Sequence, residues 1–148
     1  MTELTPTTPE LEADDNTRTV EEFLYALQDQ DFDALAAALD DNLVYENVGY
    51  TKMRGGPKVV KLFRRMEGRM RFEVKFHRVA ADGSAVLTER TDALIVGPLR
   101  IQFWVCGVFE VHDRRITLWR DYVDLYDMLK ATFRGVAGIV VPSLRETF

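Results

Sequence analysis

The chemistry-bearing feature of this sequence is charge placed inside strand-like segments. Over residues 84–96 the residues of one strand face are Val86, Thr88, Arg90, Asp92, Leu94 and Val96, because successive strand side chains alternate between faces. Arg90 and Asp92 therefore share a face and have apolar neighbours along it. The next two strands bring a third charge. If the Gly97-Pro98 turn pairs positions summing to about 195, Arg90 lies opposite Val105. If the turn at 112–114 pairs positions summing to about 226, Val105 lies opposite Asp121. Arg90, Val105 and Asp121 then form one row across three strands. Two strand spacings are roughly 9.6 Å, a gap that an arginine and a carboxylate leaning together can close. A slip of one residue would send Asp121 to the other face.

Two carboxylates held by one guanidinium suit paired acid and base work. The single positive charge favours one ionised carboxylate, while burial and the like charge raise the proton affinity of the other. One aspartate can then take a proton from water while the other gives one to a leaving oxygen, with no metal or cofactor needed. The same residues also fit a solvated surface, with Arg90 and Asp92 as an exposed pair and Asp121 joined to Arg120 or Arg115. Exposed pairs of that kind contribute little. The face also carries Leu94, Val96, Phe103 and Val105, and helices must cover one side of the sheet. Charges in such company are costly unless paired, which favours a buried Asp–Arg–Asp set. Tyr45 and Asn47, again two apart, place a hydroxyl and an amide on one strand face. With a carboxylate they supply the partners that fix a buried water. A turn-forming Asn47 beside a partly exposed Tyr45 is the plainer alternative.

The elements that must position these groups follow from periodicity. Residues 1–15, rich in Thr, Pro and Glu, read as a disordered leader, with a single domain over 16–148. Thr19 and Glu22 have capping-box spacing, and Val20, Phe23, Leu24 and Leu27 make a helical stripe. A short helix with Phe32, Leu35 and Leu39 follows, then a β-type run over 43–47 and a loop containing Gly49. Gly55-Gly56-Pro57 opens a third helix. From Arg71 the period changes to two, and four strands are predicted over about 71–125. The tail looks helical and then loosens at Gly135, Gly138 and Pro142. Helices followed by an antiparallel meander give an α+β fold, curled into a cone around a pocket.

Arg90-Thr91-Asp92, Trp119-Arg120-Asp121-Tyr122-Val123-Asp124 and Tyr45-Glu46-Asn47, in this order and spacing, resemble the limonene-1,2-epoxide hydrolase family. The likeness covers roughly residues 17–130. It implies a cystatin-like cone of the nuclear-transport-factor-2 (NTF2-like) type with a curved mixed sheet, a homodimer, and one-step hydrolysis without a covalent intermediate. In that scheme Asp121 activates water held by Tyr45 and Asn47, Asp92 protonates the epoxide oxygen, and Arg90 bridges the aspartates. The expected substrate is a small lipophilic epoxide facing Phe103, Val105, Leu94, Val96 and Met70. Two other readings use the same cone: a ketosteroid-isomerase-like proton shuttle, which gives no reason for an arginine between two aspartates, and a non-catalytic binding module.

Composition narrows the alternatives. The 148 residues carry a formal net charge of −5 with no basic cluster, which argues against nucleic acid and anionic membrane as partners. No run approaches the roughly 18–20 apolar residues of a membrane span, and the start lacks signal-peptide features, so a cytoplasmic location is expected. Cys106, the one cysteine, excludes an internal disulfide and reads as a small packed residue. His77 and His112 have no ligand-forming neighbours in sequence, so no metal is expected. Trp104 and Trp119 are read as lying on or near the outer sheet surface, where aromatic residues suit a dimer interface, with ordinary packing under the N-terminal helices as the plainer alternative. Met53, Met66, Met70 and Met128 are read mainly as core filling, with pocket lining as the alternative.

Overall fold

The computed structural model describes residues 5–148. Four helices, α1 (Thr8–Asp29), α2 (Phe32–Ala38), α3 (Gly56–Met66) and α4 (Leu125–Val140), accompany six strands. The strands are β1 (Leu39–Asn47), β2 (Thr51–Arg54), β3 (Arg71–Asp82), β4 (Ala85–Val96), β5 (Leu99–His112) and β6 (Arg115–Tyr122). They form one mixed sheet in the order β2-β1-β6-β5-β4-β3, in which only β1 and β6 run parallel. Helices and a mixed sheet make the α+β fold that the periodicity predicts.

The apolar stripe of α1 meets the sheet. Val20, Phe23, Leu24 and Leu27 join Leu35 of α2 and Val59 and Val60 of α3 in one core with Val74, Val86, Phe109, Val111, Ile116 and Trp119. Burying each such side chain contributes about 1.5–3 kcal/mol, so this layer fixes which face of the sheet turns inward. Helix α4 lies on the opposite face. A groove between α4 and the sheet is lined by Thr91, Gln102, Trp104, Asp127 and Arg134. No helix among the described residues is long and apolar enough to cross a membrane.

Several local expectations are corrected. Residues 1–4 of the expected leader lie outside the described residues, but residues 8–15 are helical, and order does not wait for Asn16. The Glu10 carboxylate accepts from the Thr7 amide at 2.6 Å and from the Thr7 hydroxyl at 2.9 Å, which starts α1 there. Thr19 sits inside the helix and donates to the Asp15 carbonyl. Further anchors come from Asp15, paired with Arg114 at 3.1 Å, and Asn16, which is buried and donates to the Gly83 carbonyl. Residues 51–54, expected as loop, pair with β1 as the edge strand β2. Gly135 and Gly138 do not loosen the tail. A Cβ at Gly135 would collide with the Arg100 carbonyl, so that glycine lets α4 approach β5.

The β5–β6 register also differs from the expected one. The turn between these strands has two residues, Asp113 and Arg114, both at positive φ, so His112 pairs with Arg115. A bulge then leaves Thr117 unpaired, between the Val111–Ile116 and Glu110–Leu118 pairs. Together the shorter turn and the bulge move Asp121 two residues along, opposite Gly107 rather than Val105. An even shift keeps Asp121 on the inward face.

Candidate active site

Strand β4 sets the first two charges. Arg90 pairs with Val105 across β5, as expected, and Thr88 pairs with Gly107, which in turn pairs with Asp121. The guanidinium therefore has to cross from its own row to the next. Gly107 makes this possible, since a Cβ there would collide with the Arg90 guanidinium and crowd the Asp121 carboxylate. Arg90 is 0% exposed, Asp92 3% and Asp121 6%. The Arg90 Nε donates to both Asp92 oxygens at 2.9 and 3.1 Å, and Nη1 donates to the Thr88 hydroxyl at 3.0 Å. Nη2 sits 2.8 Å from Asp121 Oδ1, as a short ion pair rather than a linear hydrogen bond. The solvated alternative does not occur: Arg120 pairs with Glu46 at 2.9 Å, and Arg115 with Asp40 at 3.5 Å.

Strand β1 delivers Tyr45 and Asn47, the pair expected to hold a water. Its parallel pairing with β6 aligns Tyr45 with Trp119 and Asn47 with Asp121. The Asn47 amide donates to the Thr51 hydroxyl of β2 at 3.3 Å. Trp119 was expected near the outer surface. It is instead buried in the core, its ring tilted against that of Tyr45 with centroids 4.0 Å apart, and its indole N–H donates to Asp121 Oδ2 at 3.0 Å. The signal was available, because Trp119 lies two residues before Asp121 in one strand and must share its face. Thr88 and Gly107 were also missed. Thr88 stands on the predicted Arg90 face, whereas Gly107 has meaning only once the register is known.

These groups border a cavity of about 410 Å³. Asp92, Asp121, Tyr45 and Asn47 all open onto it. Of the residues expected on the wall, Phe103, Leu94 and Met70 are present. Val105 is not: it is buried in Arg90's own row, beside the row that Gly107 keeps clear. Val96 is not either, since it sits exposed at the end of β4. Arg90 lies behind the two aspartates and does not line the cavity. Met53, Met66, Met70 and Met128 all lie on the wall rather than filling the core. Cys106 is exposed on the outward face, not packed as expected. Among the described residues no group of three or more His, Cys, Asp or Glu is placed to hold a metal ion.

Burial dominates the electrostatics. It pushes the Asp92 carboxyl up to about 6 against the opposing pull of Arg90. Burial likewise raises Asp121, opposed by Arg90 and by the Trp119 hydrogen bond. Arg90 stays a cation, because the two aspartates outweigh the burial that disfavours its charge. Burial, with the Asp121 charge, raises Tyr45 to about 12, so its hydroxyl stays protonated. One cation facing two carboxylates leaves a net charge of −1 when both ionise, and such a buried set favours taking up one proton. A base and an acid are thereby available on one cavity wall.

Comparison with known proteins places this site. The family model described as limonene-1,2-epoxide hydrolase catalytic domain matches residues 14–134. The chain is 64% identical over 148 residues to epoxide hydrolase EphG of Mycobacterium tuberculosis, covering 99% of each chain. A solved M. tuberculosis LEH-like epoxide hydrolase superposes with a TM-score of 0.93 at 63% identity, over 96% of this chain and 100% of that one. An NTF2-like protein of Burkholderia pseudomallei, 16% identical, shares the fold alone, with a TM-score of 0.68 over 80% of this chain and 97% of that one. With an arginine between two buried aspartates on an apolar cavity and a family match across most of its length, the chain belongs to the limonene-1,2-epoxide hydrolase family and is an epoxide hydrolase.

Proposed function

We propose that this epoxide hydrolase converts a lipophilic epoxide to a vicinal diol in a single step. A water held by Tyr45 and Asn47 gives a proton to Asp121 as its oxygen bonds to one epoxide carbon. The bond from that carbon to the epoxide oxygen breaks, and Asp92 protonates the oxygen. Passage of the proton from Asp121 back to Asp92 resets the site. Arg90 holds both carboxylates in place, and burial together with their mutual repulsion keeps them from ionising together. The observation that carries this reading is one buried guanidinium shared by two aspartates that both open onto an otherwise apolar cavity.

A panel of terpene, fatty-acyl and steroid epoxides, hydrolysed in ¹⁸O-water with enzyme in excess, tests the reading. Labelled diol in the first turnover is expected. Unlabelled diol would mean that an enzyme carboxylate supplied the oxygen, and the one-step scheme would fail. Asp121→Asn should lose turnover by about 100-fold or more while keeping the fold.

The working form we propose is a cytoplasmic homodimer. Its support is apolar surface on the side away from the cavity: Leu87, Trp104 and Tyr122 on the sheet, and Leu129, Phe133 and Val140 on α4 are all exposed.

A further inference from the structure

We propose that Trp119 is the positioning residue that divides the two aspartates into base and acid. This rests on the reading of Asp121 as the base. Arg90 cannot make the division alone, because it contacts both carboxylates. Its Nε–H is shared between the two Asp92 oxygens, and its Nη2 reaches one oxygen of Asp121. The Trp119 indole adds a second donor, 3.0 Å from the other Asp121 oxygen. Among the described residues no donor besides Arg90 reaches the Asp92 carboxylate. Burial raises both carboxyls, and donors aimed at a carboxylate favour its ionised form, so the indole biases the one shared proton toward Asp92. An indole N–H donates only and is not titrated, so Trp119 takes no proton itself and acts through Asp121.

The indole is fixed for this task. It is 2% exposed, 5.0 Å from the Phe23 ring and 4.0 Å from the Tyr45 ring, with Phe63 and Phe109 also stacked on it. One rigid ring thus touches both the base and a water-holding residue. With Oδ2 held by the indole N–H and Oδ1 in the ion pair with Arg90, the Asp121 carboxylate cannot rotate freely. The charged or titratable groups facing Asp121 are Arg90 and Asp92 from β4 and Tyr45 from β1. Strand β5 presents only Gly107 there, and Phe23 of α1 and Phe63 of α3 pack on the Trp119 ring.

The test is Trp119→Phe, which keeps an aromatic ring and removes the donor. The expected result is a kcat lower by about tenfold or more with KM little changed. The acid limb of kcat/KM should also move to higher pH by roughly one unit, with the basic limb in place. An acid limb at or below the wild-type position would overturn the proposal, whatever happens to kcat, since lost packing that admits water relieves burial and moves the limb down, not up. Site-specific replacement of Trp119 by benzothienylalanine, with sulfur in place of N–H, keeps the ring shape and should show the same shift. A wild-type profile from that variant would equally overturn it. Asp121→Asn separates the two levels. If that variant still turns over, the base assignment itself fails and Trp119 falls with it. If it is inactive while both Trp119 variants keep the wild-type acid limb, only the role of Trp119 fails.

Discussion

A carboxyl whose proton affinity is raised by folding leaves a signature in stability as well as in rate. For Asp92 the folded value, about 6, lies above the ordinary 3.8, so the native state binds protons more tightly than the unfolded chain. Its contribution to stability is complete below the unfolded value and is lost as pH rises through the folded one. The melting temperature of the wild type should therefore fall more between about pH 4 and pH 7 than that of Asp92→Asn, which has no carboxyl to titrate there. Equal slopes in a thermal-denaturation series would show that Asp92 is not titrating in that window. The same variant should lose hydrolysis by about 100-fold or more, because an amide cannot protonate the opening oxygen. At this scale much of the site was readable beforehand. Arg90, Asp92, Tyr45, Asn47 and Asp121 each have a type and a spacing with chemical content. Gly107 has none until its neighbours are known, since an absent side chain carries no signal of what fills its space.

Among the elements, the strands were read well and their joints less so. Alternation identified β3 to β6, but two details of the β5–β6 hairpin moved Asp121 from Val105 to Gly107: the two-residue turn and the unpaired Thr117. Positive φ at Asp113 and Arg114 is not signalled by glycine, and a bulge of one residue leaves little trace in a period-two pattern. The start of α1 was missed because its first two turns are largely exposed and lack an apolar stripe. A local signal, Thr7 followed by Glu10, decides it instead. Glu10→Ala should remove that cap and fray the first turns of α1. Amide hydrogen exchange should speed up over residues 8–15 while protection of Phe23, Leu24 and Leu27 stays unchanged. No acceleration over those residues would show that the contacts of Asp15 and Asn16 alone hold the segment.

Across the molecule, the two faces of the sheet have different fates. One is closed by α1, α2 and α3 and holds the cavity. The other meets α4, which leaves Phe133 68% exposed and Val140 78% exposed. If that face joins two copies, Phe133→Glu should shift the sedimenting species from dimer to monomer, since a charge placed in an apolar contact cannot be desolvated cheaply. A monomeric wild type in sedimentation analysis would remove the dimer altogether. Wall composition also belongs to this scale. Met53 on β2, Met66 and Met70 around the end of α3, and Met128 on α4 come from separate elements, so only the closed cone brings them onto one cavity.

What the sequence determined by itself is whatever depends on neighbours one to four residues away. That includes the helical stripe of α1, the alternation of the strands, the shared face of Arg90 and Asp92, that of Tyr45 and Asn47, and the motif spacing that resembles the family. Face parity is a local property, so it survived a register that was wrong by two. The tertiary structure decided everything that depends on which residues meet across strands. Parallel pairing of β1 with β6 puts Asn47 beside Asp121, the row through Gly107 gives Arg90 its passage, and the core places Trp119 against Tyr45 with its N–H on Asp121. These contacts join residues up to about seventy positions apart. Their register is set by turn geometry, a bulge and the packing of the core, none of which a local pattern encodes.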